Sequence, residues 1–129
     1  MRTALLLLLL AAPAMAQDAD PPLTGDAFEA FVEGSTFDTH NQTGRYGVET
    51  FLPGQRAIWR DATQCLEGTW RTQGEMICFD YEAEPYPYCW TYHSRGDYLM
   101  GWLNGDRTTN PIMLYPADDV VTCDGYFGV

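Results

Sequence analysis

After Gly34 the chain is broken at short intervals by turn-forming pairs, and this punctuation limits its folding choices more than anything else in the sequence. The breaks fall at Asn41-Gln42-Thr43-Gly44, Pro53-Gly54, Gln73-Gly74, Pro85-Tyr86-Pro87, Arg95-Gly96, Asn104-Gly105 and Asn110-Pro111. Between them lie runs rich in aromatic and β-branched residues. Short strands separated by such turns pair most readily with their sequence neighbours. The expected fold is therefore mainly β: an antiparallel meander of roughly seven or eight strands, closed as a small barrel or sandwich.

The strand faces follow from the pairings. A hairpin at Gln73-Gly74 sets Trp70 against Ile77, Gly68 against Phe79 and Leu66 against Tyr81. Placing Cys78 opposite Cys89 sets Ile77 against Trp90 and Phe79 against Tyr88. A hairpin at Arg95-Gly96 sets Tyr92 against Leu99, Trp90 against Gly101 and Tyr88 against Leu103. Side chains alternate between faces, so loops of even length gather all of these residues on one side. That side carries no charge and is the expected core face. The opposite face holds Cys65, Cys78, Cys89, His93, Tyr98, Met100 and Trp102, polar at one edge and apolar at the other.

One helix precedes the strands. Thr24 can cap it, Asp26 and Glu29 suit its positive end, and Gly34 can end it. Ala27, Phe28, Phe31 and Val32 form a single apolar stripe. A helix of about ten residues does not hold alone in water. Its expected floor is the outer apolar edge, Tyr98, Met100 and Trp102. Should the helix lie elsewhere, that edge together with His93 would be a binding patch.

Four cysteines in a small chain point to two disulfides. Cys78 and Cys89 face each other on neighbouring strands, which leaves Cys65 with Cys123. No C-x₂-C or C-x₄-C spacing favours zinc instead. An oxidising compartment agrees with the start of the chain. Arg2, the apolar run Ala4 to Ala12 and Ala14-Met15-Ala16 read as a signal peptide over residues 1–16, cleaved after Ala16. Residues 17–22 read as a flexible leader and residues 23–129 as one disulfide-stabilised domain. The apolar run is too short for a transmembrane segment. The expected location is periplasmic or secreted.

Loss of Arg2 would leave six arginines against 18 acids, a formal charge of −12. Such a chain repels phosphate backbones, so nucleic acid is not an expected partner. The 18 aromatic residues argue against disorder, and the acidity is read as serving solubility.

Catalytic signals are sparse. A nucleophile–base pair has only two serines, Ser35 and Ser94, and two histidines, His40 and His93, to draw on beside its threonines, and no G-x-S-x-G occurs. His93 and Ser94 are adjacent on a strand and point apart. His93 with Met76 and Met100 would be a thin copper site, and packing explains it better. Asn104-Gly-Asp106-Arg-Thr108 lacks the glycine and closing Glu of a calcium loop. Arg95-Gly96-Asp97 falls in a turn, and Asn41-Gln42-Thr43 matters as a glycosylation acceptor only in a eukaryotic secretory pathway. Among so many acids some carboxylate pair always looks suitable for glycoside hydrolysis. A closed barrel of about eight strands could instead hold a cavity lined by Trp70, Phe79 and Trp90.

The stretch Gly68-Thr-Trp70-Arg-Thr-Gln-Gly74-Glu-Met-Ile-Cys78-Phe-Asp-Tyr81, followed by Cys89-Trp90, resembles small secreted proteins of Gram-negative bacteria that carry a domain of unknown function. Gly34-Ser-Thr36 and Tyr46-Gly-Val-Glu49-Thr-Phe51-Leu-Pro-Gly54-Gln-Arg56 match the same pattern, so the resemblance covers about residues 23–95. The G-x-W element is also similar to that of lipocalins. The resemblance implies a periplasmic β-meander and brings no catalytic residues; Cys65 and Cys123 look like a subgroup's extra pair. The expected function is a non-enzymatic module, without cofactor or metal, that binds a protein or small ligand. The alternatives are a small-molecule carrier with an aromatic-lined cavity and a carboxylate-dependent cell-envelope enzyme.

Overall fold

The computed structural model describes residues 11–12 and 19–126. The expected signal segment falls, apart from residues 11 and 12, outside the described residues. Helix α1 (Gly25–Val32) leads into eight strands: β1 (Thr36–Asn41), β2 (Gly44–Leu52), β3 (Arg56–Asp61), β4 (Cys65–Gln73), β5 (Met76–Tyr81), β6 (Tyr88–Ser94), β7 (Leu99–Leu103) and β8 (Ile112–Ala117). Each strand pairs antiparallel with the next, and β8 returns to β1. The sheet is thus a closed up-and-down barrel, which leaves no free strand edge to aggregate.

The predicted faces hold, but two registers move. Cys78 lies opposite Cys89, Ile77 opposite Trp90 and Phe79 opposite Tyr88, as expected. The β4–β5 turn closes at Gly74-Glu75, which pairs Trp70 with Phe79 and Gly68 with Tyr81. The β6–β7 connection spans four residues, so Tyr92 opposes Gly101 and Trp90 opposes Leu103. Both slips are of two residues, and an even slip leaves every side chain on its original face. Trp70, Ile77, Phe79, Tyr92 and Leu99 accordingly lie in the core. Tyr88 and Leu103 are exceptions, 43% and 40% exposed at the start of β6 and the end of β7. The small-against-large fit survives with different partners: a Cβ on Gly68 would strike the Tyr81 ring and the Asp80 carbonyl, and one on Gly101 would crowd Tyr92.

The helix does not rest on the outer edge. Thr24 caps it, its hydroxyl accepting from the Ala27 amide at 3.2 Å. Phe28 is fully buried inside the barrel end, with Tyr92 at 4.8 Å, Trp70 at 5.1 Å and Phe51 at 5.7 Å between ring centres. Phe31 stacks on Phe37 at 5.7 Å. The reason is volume and area together. A barrel end is an apolar opening with rings on every side, so it removes more of a phenylalanine from water than a flat outer face can. Burial of one such side chain stabilises by about 2–3 kcal/mol.

Both expected disulfides form, Cys78–Cys89 across β5 and β6, and Cys65–Cys123. The second ties the chain after β8 to the start of β4, beside β2 and β3. There Thr50 Oγ1 accepts from the Val121 amide at 3.0 Å, and the Tyr126 hydroxyl donates to the Asp61 carbonyl at 2.7 Å.

Candidate functional site

The helix closes one end of the barrel, and the other end is open. A cavity of about 230 Å³ runs inward from that open end. The strand alternation that builds the core builds its walls too. Along β5 and β6 the inward residues are Phe79 and Tyr81, then Tyr88, Trp90 and Tyr92. Phe79 and Tyr81 stack with ring centres 5.9 Å apart, and Tyr88 lies 6.4 Å from Tyr81.

β2 and β3 supply the opposite wall. Between Thr39 and His40 the register shifts so that Tyr46 has no partner on β1. Such a bulge re-aims a side chain, and Tyr46 lines the cavity with its ring 5.6 Å from Trp59. The Trp59 ring lies over Gly47, where a Cβ would overlap it. Asp61 fixes the far edge of that ring by accepting from Trp59 Nε1 at 2.8 Å.

Three carboxyl groups line the same space: Glu49, Asp61 and Glu84. Glu49 is only 5% exposed and accepts a very short hydrogen bond from the Tyr81 hydroxyl. Removal from water pushes its pKa up to about 7, against the pull of that hydrogen bond. The phenols around it are raised too. Burial, with the Glu49 charge second, takes Tyr46 up to about 12 and drives Tyr81 and Tyr92 well above the ordinary value. Asp61 behaves oppositely. Burial acts to raise it, but hydrogen bonds from Thr63, Trp59 and Gln64 outweigh this and hold it below the usual carboxylate value. Glu84 accepts from the Tyr88 hydroxyl at 3.2 Å.

Of the three residues expected to line a cavity, Phe79 and Trp90 do so, while Trp70 lies at the closed end beneath Phe28. The residues of the expected patch are gathered on the outside of β6 and β7, where a different cover lies over them. Trp102 is 8% exposed, beneath the Arg107 guanidinium at 4.1 Å and that of Arg95 at 5.9 Å. Both arginines bond the Asp20 carboxylate, at 2.7 Å from Arg95 and 3.1 Å from Arg107. Arg95 foremost, with Arg107, holds the Asp20 carboxyl far below the usual range. His93 is 2% exposed, its Nδ1 3.0 Å from both the Asp20 carbonyl and Arg107. Met100 accepts from Arg95 Nε at 3.2 Å, and Tyr98 packs on Tyr115 with rings 4.9 Å apart. Asp20, expected within a flexible leader, thus docks the chain on this face, and the Leu23 amide donates to the Tyr92 carbonyl at 2.7 Å.

Sequence reasoning missed Glu49, Tyr46, Trp59, Asp61 and Glu84. A signal for Glu49 was present: it shares strand parity with Phe51, a buried position, and a charge in phase with a core ring is unusual. Tyr46 gave none, because only the bulge turns it inward. Compared with known proteins, the chain matches no family profile, no curated protein and no solved structure.

Proposed function

We propose that this protein is a non-enzymatic binder of small molecules, taking its ligand into the open end of the barrel. The observation that carries this reading is the cavity itself. It holds about 230 Å³, whereas an apolar cavity of roughly 150 Å³ already accommodates benzene. Its walls are mainly aromatic and aliphatic, with a few fixed polar groups, which is the usual make-up of a small-ligand site. Two disulfides and the signal-like first 16 residues support a periplasmic or secreted setting. The resemblance to secreted domains of Gram-negative bacteria agrees with that setting.

A carboxylate-dependent enzyme is the second reading, favoured by the opposite shifts of Glu49 and Asp61 in one cavity. Against it, both Asp61 oxygens are engaged by Trp59, Thr63 and Gln64. A carboxylate so occupied is poorly free to attack or to activate water.

Calorimetric titration with 2-phenylethanol, phenethylammonium and 3-phenylpropionate tests the binding reading. At least one should bind, and Leu66→Trp, which fills the cavity from its β4 wall, should abolish that binding while the variant still unfolds cooperatively. Binding by none of the three, or binding indifferent to Leu66→Trp, would overturn it.

A further inference from the structure

We propose that the ligand of this cavity is a small organic cation, an ammonium carried on an aryl or short alkyl group, whose charge pairs with Glu49. The inference rests on the cavity being a ligand site and adds the ligand's chemical class. The acidic side chains at the site are not balanced by a basic one. Glu49, Asp61 and Glu84 line it, and among the described lining residues none is Arg, Lys or His. Low-dielectric walls with charge of one sign concentrate the field inside a cleft. An anionic ligand would be opposed by Asp61, and by Glu49 wherever that is ionised.

The rings point the same way. Tyr46, Trp59, Tyr81, Tyr88 and Trp90 offer electron-rich faces, and these attract ammonium groups. A purely apolar ligand would not require the one buried carboxyl. Glu49 sits 5% exposed with a neutral phenol as its hydrogen-bond partner. A carboxylate removed from water is costly without a counterion, and among the described residues no cationic side chain pairs with it. An entering ammonium would supply that counterion and be held by a charge-assisted hydrogen bond. The volume limits the part of the ligand held inside the barrel to about one ring and a short chain. The acidity of the whole chain, −11 overall, favours approach of the same class of ligand.

The ionisable groups facing the same space are Tyr46 on β2, Asp61 at the end of β3, Tyr81 on β5, Glu84 in the β5–β6 loop, and Tyr88 and Tyr92 on β6. The phenols of Tyr46, Tyr81 and Tyr92 stay neutral near neutrality, and Asp61 stays charged. Glu49 is therefore the group whose ionisation should gate cation binding around neutral pH.

The test is a charge series on the unaltered protein: phenethylammonium, 2-phenylethanol and 3-phenylpropionate, by calorimetry at about pH 8. The ammonium should bind at least about tenfold more tightly than the alcohol, the gain expected of a charge-assisted hydrogen bond, and the carboxylate should bind weakest. Lowering the pH to about 5.5 should weaken the ammonium and leave the alcohol unchanged. Glu49→Gln should bring the ammonium to within about twofold of the alcohol measured on the same variant. Equal affinity for ammonium and alcohol, tightest binding of the carboxylate, or an ammonium preference that survives Glu49→Gln would overturn the proposal and leave the cavity as a site for neutral ligands. Failure of all three probes would instead remove the cavity reading, and this inference with it.

Discussion

Glu49→Gln should stabilise this protein at alkaline pH, although it removes a hydrogen-bonded side chain from the barrel interior. The folded pKa of Glu49 is about 7, against 4.5 for the free side chain. Between those values the folded chain holds a proton that the unfolded chain has released. Stability therefore falls as pH rises through this window, because the unfolded state binds fewer protons. Each pKa unit is worth about 1.4 kcal/mol. The gap between 4.5 and 7 then amounts to about 3 kcal/mol, absent at low pH and complete above the folded pKa. The substituted glutamine has the size and neutrality of protonated Glu49, and its carbonyl oxygen can still accept from Tyr81. The assay is urea unfolding of both proteins with disulfides intact, at about pH 4 and about pH 8. The other titrating groups are common to both and cancel in the difference. The variant's advantage should be near zero at the lower pH and about 3 kcal/mol at the higher. A difference independent of pH would refute the reasoning, since it would mean that Glu49 ionises in the fold as it does in water.

Three further outcomes follow from the packing. Phe28→Ala should cost about 3–5 kcal/mol, and its loss should add to that of Trp102→Ala, because the two side chains lie on opposite sides of the sheet; strong non-additivity in urea melts of the double variant would place the helix on the outer edge. Replacing Cys65 and Cys123 by Ser should lower stability by about 4 kcal/mol in the chain-entropy model, given the 58-residue separation, and non-reducing peptide mapping should link Cys78 only to Cys89. Gly47→Ala should cost about 1–3 kcal/mol by driving the Trp59 ring from its seat, with a change in tryptophan emission that marks the displaced indole.

The two-residue alternation of Trp70, Ile77, Phe79, Trp90, Tyr92 and Leu99 was enough to specify which side of the sheet is the core. A period of two survives any even slip in register, so errors at two hairpins left these faces unchanged. Setting Cys78 against Cys89 agreed with the same alternation and left Cys65 for Cys123. Turn chemistry marked most of the strand ends, because Gly, Asn and Pro act through the local backbone and need no distant partner. The β3–β4 turn, Ala62 to Gln64, carries none of these residues, and it is Asp61 that builds it by accepting from Thr63 and Gln64.

What the tertiary structure alone decided concerns partners distant in sequence. The apolar stripe of α1 announced that the helix must be covered, but an outer edge and a barrel mouth are equally apolar in one dimension. Only closure of β8 onto β1 creates an end for Phe28 to fill. The outer edge then needed another cover, and Asp20 provides it across 75 residues by fixing Arg95 over Trp102. The site depends on closure more heavily still. Glu49 and Tyr81 are 32 residues apart, and Tyr46 faces the cavity because of one bulge. Local pattern sets the face of each residue, whereas the curvature of the closed sheet sets which faces converge and where the interior is left unfilled.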